Sequence, residues 1–177
     1  MTRRPFFTLA NVFLSILIVI LTSCATTTPE IKQSSPTFTA VDLQGRSFGL
    51  SDYKGKNIIL VFYIGHTWQP CFQQLGELQK VLPDIRALQT EVIAIASRDR
   101  RDVQKTQKVL DLEFTLVPGP NVDLMKQYGA YNFQKGVALP MTLIIDKNGV
   151  VRWKYVGKND YDRPDVKKIL IELRHLQ

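Results

Sequence analysis

The chain has only two cysteines, Cys24 and Cys71, and two histidines, His66 and His175, among its 177 residues. That scarcity leaves little for a metal centre. His66 and Cys71 supply two ligands at most, His175 lies near the C-terminus, and no metal site stands out. Glycine-rich phosphate loops are missing as well, since Val117-Pro118-Gly119-Pro120 reads as a turn. No apolar run reaches the roughly 18 to 20 residues that span a bilayer comfortably. Nor is there a basic block. The formal charge of +7 falls to +5 once Arg3 and Arg4 are set aside with the N-terminal leader, and the remaining Lys and Arg are spread along the chain apart from Arg98, Arg100 and Arg101. Such spacing describes a solvated surface with some attraction to anionic lipid headgroups, and no nucleic-acid partner is expected. With 45% hydrophobic and 22% charged residues, disorder throughout is excluded, and the length suits one domain with a small appendage.

What the chain does have is concentrated between Asn57 and Leu82. The apolar run Ile58-Ile59-Leu60-Val61-Phe62-Tyr63 leads through Gly65-His66-Thr67-Trp68-Gln69-Pro70 to Cys71 and an amphipathic helix. A thiol at the start of a helix meets unpaired N–H groups and the positive end of the helix dipole, both of which favour the reactive thiolate. Cys71 is therefore the first candidate for chemistry.

The N-terminus reads as a targeting segment: basic Arg3 and Arg4, an apolar stretch from Phe6 to Leu21, then Leu21-Thr22-Ser23-Cys24. These four residues closely resemble the lipobox of bacterial lipoproteins. The resemblance implies a signal peptide over residues 1–23, diacylglyceryl attachment at Cys24 and a domain outside the cytoplasm, in the cell envelope. An uncleaved membrane helix or ordinary signal cleavage are the alternatives. Residues 24–35, rich in Thr, Ser and Pro, read as a flexible tether, and residues 36–177 as the folded domain.

Within the domain, Thr37 to Val41 and Ser47 to Leu50 are short strand candidates, and Asn57 to Tyr63 is a strand apolar on both faces. Pro70 to Leu88 carries Leu75, Leu78, Leu82 and Ile85 at helical spacing, with Pro83 dividing it. Glu91 to Ser97 is a second buried strand, and Asp102 to Leu110 a helix opened by Asp102. This alternation implies a parallel core. Phe114 to Val117 is a short strand and Asp123 to Tyr128 a short helix. Thr142 to Asp146 and Val150 to Val156 form a hairpin around Asn148-Gly149, and Arg163 to Leu176 is a closing helix with Asp162 as its cap and Pro164 in its first turn.

The order resembles the thioredoxin fold in its peroxiredoxin-like (alkyl hydroperoxide reductase/thiol-specific antioxidant, AhpC/TSA) version, an α/β fold whose central mixed sheet is flanked by helices. The carriers are Phe38 to Gly45, Leu50 to Lys56, Phe62-Tyr63 with Cys71 eight residues on, Leu139-Pro140, Ile144 to Arg152, and Asp160-Tyr161-Asp162-Arg163-Pro164. The resemblance implies a thiol antioxidant enzyme acting on peroxides or exchanging thiols, with Cys71 as nucleophile and no cofactor. Peroxiredoxins also carry Pro-x-x-x-Thr-x-x-Cys, but here Ile64 and Trp68 fall on the Pro and Thr, with Thr67 one place out of register. The arginine that many peroxiredoxins place ahead of the Ile144-containing strand falls on Pro140. A proline there resembles thioredoxin, whose proline follows a cis peptide bond and lets the backbone pair with a thiol substrate.

Supporting roles follow for several neighbours of Cys71. Thr67 could donate a hydrogen bond to it, Trp68 could form a lid as in thioredoxins, and Pro140 could present backbone to substrate. His66 is a candidate base, and Arg98, after the Glu91–Ser97 strand, a candidate source of positive charge. With Cys24 lipidated, Cys71 has no partner thiol in the chain, so its sulfenic acid would be resolved by an external thiol, either a thioredoxin-like protein or a small thiol, or by Cys71 of a second protomer in a homodimer. The competing reading is a lipoprotein that uses the fold for thiol–disulfide exchange or binds a partner without catalysis, Cys71 being a small buried hydrophobe.

Overall fold

The computed structural model describes residues 28–177. The leader and Cys24 lie outside the described residues. Among the described residues no helix is long and apolar enough to cross a membrane.

The strand read as apolar on both faces, β3 (Asn57–Tyr63), is buried at every position and sits at the centre of a five-stranded sheet. Taking β1 (Thr39–Val41) and β2 (Ser47–Gly49) as the first two strands, the central sheet has the order β5-β4-β3-β8-β9, where β4 is Thr90–Ala96, β5 Thr115–Val117, β8 Met141–Ile145 and β9 Val151–Val156. The βαβ half is parallel, with Asn57 opposite Thr90 and Tyr63 opposite Ala96. β8 then enters antiparallel to β3, and β9 antiparallel to β8. A tight hairpin can only join antiparallel neighbours, so the Asn148-Gly149 turn makes the sheet mixed. Gly149 supplies the positive φ of +79° that this turn needs.

Alternation along β3 divides the core. Ile59, Val61 and Tyr63 face α1 (Gln69–Lys80), α2 (Leu82–Ala87), α3 (Arg100–Leu110) and α5 (Val166–Arg174), packing with Leu75, Leu78, Ile85, Val103 and Leu173. Ile58, Leu60 and Phe62 face the other layer, which contains α4 (Val122–Gln127), the β1-β2 ribbon and a short ribbon of β6 (Tyr131–Asn132) and β7 (Val137–Ala138). The last ribbon, only two residues per strand, left no alternation to read in the sequence. Pro83 divides the long helical pattern as expected, because at the second position of α2 its missing N–H is not needed.

Two helix caps differ from the sequence expectation. α3 is capped by Asp99, which accepts the Asp102 N–H at 3.0 Å. α5 is capped by Asp165, which accepts the Lys167 N–H at 2.8 Å, and Pro164 precedes the cap. Both displaced aspartates hold other partners: Asp102 accepts the His66 N–H at 2.7 Å, and Asp162 the Tyr155 hydroxyl at 2.6 Å.

Part of the segment read as a tether lies against the domain. Lys32 N–H donates to Val151 O at 2.7 Å, Val151 N–H to Gln33 O at 2.9 Å and Ser35 N–H to Gly149 O at 2.8 Å. Ser35 Oγ meets Tyr128 Oη at 2.8 Å, and Lys154 pairs with Glu30 at 2.9 Å. The free edge of β9 offers backbone groups that this segment satisfies.

Candidate active site

Cys71 is the third residue of α1, in the turn that follows β3, and its side chain is wholly buried. The helix starts without a side-chain cap: Trp68 takes the capping position in extended conformation, and Pro70 sits in the first turn. The Cys71 sulfur accepts two hydrogen bonds. Ile64 N–H, from the end of β3, donates at 3.4 Å, and the Arg163 guanidinium donates through Nη2 at 3.0 Å.

Arg163 is held by the loop that carries it. Nη1 donates to Asp160 O at 3.0 Å and Asp162 O at 2.9 Å. The Asp160 carbonyl also accepts Trp68 Nε1 at 3.0 Å, and the Trp68 ring lies 5.3 Å from the exposed ring of Tyr161. Trp68 thus ties the loop to the start of the cysteine's own helix. Asp162 fixes the loop from the other side, accepting the Tyr155 hydroxyl and the Lys158 N–H, the latter at 2.9 Å. The Tyr155 hydrogen bond, joined by Lys158 and Arg163, holds the Asp162 carboxyl below the usual carboxylate range. Asp160 adds an ion pair with Lys135. A cleft of about 310 Å³ opens beside the arginine, lined by Pro70, Gln74, Glu77, Tyr161 and Arg163.

The other residues singled out from the sequence are distributed around this centre. Thr67 is exposed, and its side chain has no hydrogen bond to Cys71. His66 is half-buried; its N–H reaches Asp102, its ring stands edge-on to Phe72 at 5.5 Å, and Nδ1 has no partner in the protein. Arg98 is exposed and lies over Gly65, where an added Cβ would come within 2.4 Å of Arg98 Cγ; no contact joins it to Cys71. Pro140 is buried, but its peptide bond is trans, the one cis X-Pro bond among the described residues being Gly119–Pro120. Its carbonyl accepts Gly157 N–H at 2.8 Å, carrying the β8–β9 ladder one bond past the strand. Cys24 lies outside the described residues.

In the sequence Arg163 stands out only as part of the Asp160–Pro164 motif, with nothing that ties it to Cys71. The arginine expected just before β8 is replaced by Pro140, which left Arg98 as the candidate source of positive charge. The structure supplies one from the other side, through a loop 92 residues beyond Cys71. The Arg-Pro pair before a terminal helix was the available signal.

Known proteins match this arrangement at the level of family and fold. The profile of the AhpC/TSA family matches residues 31–154, a span that contains Cys71 but not Arg163. A thiol-disulfide oxidoreductase, ResA, of Bacillus thuringiensis subsp. konkukian is 30% identical over 132 residues, covering 73% of this chain and 71% of that protein. A chloroplastic peroxiredoxin Q of Oryza sativa subsp. japonica is 30% identical over 124 residues, covering 69% of this chain and 57% of the other. Among solved structures, the peroxidoxin BcpB of Mycobacterium tuberculosis superposes with a TM-score of 0.75 at 17% identity, covering 84% of this chain and 99% of that one. AhpC of Enterococcus faecalis gives 0.74 at 18% identity, covering 83% and 92%. The chain belongs to the AhpC/TSA family and has the thioredoxin-like α/β fold.

Proposed function

We propose that this chain is a one-cysteine thiol peroxidase, in which Cys71 reduces a hydroperoxide and an external thiol restores it. Membership of the family and both kinds of relative support the coarser part of this reading, a thiol-dependent oxidoreductase. The observation that carries the finer part is the Arg163 guanidinium on the Cys71 sulfur at 3.0 Å. A guanidinium in a site shielded from water stabilises negative charge on sulfur and on the oxygens of the displaced group as the O–O bond breaks.

In the reaction, the thiolate attacks one peroxide oxygen, an S–O bond forms, the O–O bond breaks, and the departing oxygen leaves as water or alcohol after taking a proton. Sulfur is oxidised by two electrons and the peroxide is reduced. An external thiol then attacks the sulfenic acid, expelling water and leaving a mixed disulfide, and a second thiol frees Cys71. The buried sulfur favours a small oxidant over a bulky protein disulfide as the first substrate. Thiol–disulfide exchange is the second reading, favoured by the 30% identity to the ResA protein. Lipid attachment at Cys24 would hold this chemistry at the envelope, with the basic surface facing anionic headgroups.

The test is dimedone trapping of Cys71 sulfenic acid in the full-length chain under stoichiometric hydrogen peroxide, read by mass spectrometry. Labelling well above the rate of free cysteine supports the peroxidase; labelling no faster leaves exchange or partner binding as the better account. Membrane-fraction retention lost on Cys24→Ala would support the lipid anchor.

A further inference from the structure

Among the described residues three buried side-chain polar atoms have no hydrogen-bond partner in the protein: Tyr63 Oη, His66 Nδ1 and Arg163 Nε. All three belong to residues around Cys71. Arg163 is on its sulfur, while Tyr63 ends β3 and His66 lies midway along the short link from β3 to α1. Tyr63 is the most buried of these residues, with no exposed surface. It is the last residue of β3 and faces the α1/α3 layer, in the same packed cluster as Cys71, Leu75 and Val103. A buried hydroxyl without a partner weakens a fold, and phenylalanine would fill this place without that penalty. Such groups are retained where a reaction uses them.

We propose that the Tyr63 hydroxyl is the proton donor to the departing oxygen when Cys71 attacks a hydroperoxide. The inference rests on the peroxidase reading and adds a residue to it. Burial raises the phenol well above its ordinary value, and the negative charges of Asp102 and Cys71 raise it further, so the hydroxyl stays protonated at neutral pH and can only give a proton. The step balances: Cys71 thiolate bonds to one oxygen of the peroxide, the O–O bond breaks, the departing hydroxide or alkoxide takes the Tyr63 proton and leaves as water or alcohol, and the phenolate recovers a proton from solvent. Arg163 cannot fill this role, since a guanidinium does not release its proton in a protein. Ile64 N–H is likewise a fixed donor. Of the two unpartnered groups that can transfer a proton, His66 is half-buried with its ring edge-on to Phe72, whereas Tyr63 is wholly buried in the packed cluster that contains Cys71.

The experiment compares the full-length chain with its Tyr63→Phe variant against two oxidants. Hydrogen peroxide expels hydroxide, which needs a proton, whereas peracetic acid expels acetate, which does not. Tyr63→Phe should slow Cys71 oxidation by hydrogen peroxide about 100-fold, the scale of a lost general acid, and leave the peracetic acid rate within about twofold. The variant should also unfold at the same or a higher temperature than the parent. Equal slowing with both oxidants would overturn the proposal, because Tyr63 would then act on the sulfur or its packing. An unchanged hydrogen peroxide rate, or a lower unfolding temperature from the loss of a structural hydrogen bond, would overturn it too. If the parent chain reacts with hydrogen peroxide no faster than free cysteine, the peroxidase reading itself falls and the donor with it.

Discussion

Arg163 donates through Nη2 to the sulfur of Cys71 at 3.0 Å, while its Nη1 is held by the carbonyls of Asp160 and Asp162 at 3.0 and 2.9 Å. The guanidinium is thus fixed before any substrate arrives, the preorganisation that the proposed peroxidase chemistry would use.

Removing it should therefore reduce chemistry more than stability. Arg163→Ala is expected to lower the rate of Cys71 oxidation by hydrogen peroxide about 10²- to 10³-fold. Arg163→Lys should recover only a small part, because one ammonium cannot span the sulfur and two carbonyls in the fork geometry of arginine. Stopped-flow measurement of sulfenic acid formation checks both.

The loop that carries Arg163 is tied to α1 by the indole of Trp68, through the 3.0 Å bond to Asp160 O. Trp68→Phe keeps the aromatic surface near Tyr161 but loses that bond. We expect a loss of about 1 kcal/mol in urea unfolding and several-fold faster alkylation of Cys71 by iodoacetamide, as the loop opens more often. Unchanged alkylation would show that Trp68 does not guard the sulfur.

Asp162 makes the same loop sensitive to acid. Its carboxyl titrates lower in the folded chain than when unfolded, chiefly because it accepts the Tyr155 hydroxyl. The stabilisation is thus complete above the ordinary carboxylate range near about 4 and is lost as pH falls through the lower native value. Asp162→Asn should leave less of this acid-dependent loss, seen by following unfolding from pH 6 down to pH 2.

Gly65 is closely covered: a Cβ there would lie 2.4 Å from Arg98 Cγ and 2.6 Å from Asp102 Oδ2. Arg98 can swing away, but Asp102 is engaged by the His66 N–H at 2.7 Å. Gly65→Ala should break that bond and destabilise the chain by about 1–3 kcal/mol, measured by thermal unfolding.

The segment before Pro36 offers a test independent of the site. A chain beginning at Pro36 loses the bonds from Lys32, Gln33 and Ser35 to the β9 side, and should be less stable than one beginning at Thr28 by about 2–4 kcal/mol at typical hydrogen-bond values. Equal urea midpoints would show that these contacts contribute nothing to the domain.

Much of this molecule was legible from neighbours in sequence. β3 declared itself because seven successive residues from Asn57 to Tyr63 suit a strand buried on both faces, and the helix after it by the spacing of Leu75, Leu78, Leu82 and Ile85. The Asn148-Gly149 turn announced the hairpin, and the position of Cys71 at the start of α1 followed from the strand-to-helix switch. These features depend on periods of two and 3.6 residues and on local turn chemistry, which a sequence carries directly.

What only the tertiary structure decided is who shares a partner with whom. Asp102 and Asp162 each look like a helix cap in sequence, yet one is drawn to a backbone N–H 36 residues away and the other to a tyrosine on β9, leaving Asp99 and Asp165 as caps. Pro140 stands where an arginine was expected and Arg98 looked like the replacement, yet it is Arg163 that reaches the sulfur, across 92 residues. The sequence by itself determined the main strands and helices in their order and a thiol at a helix start, because those rest on local preferences. The arginine on that thiol and the loop that holds it were decided by the return of the chain through β9 and α5, and the unpartnered Tyr63 hydroxyl by the packing of α1 and α3 over β3, which no local pattern encodes.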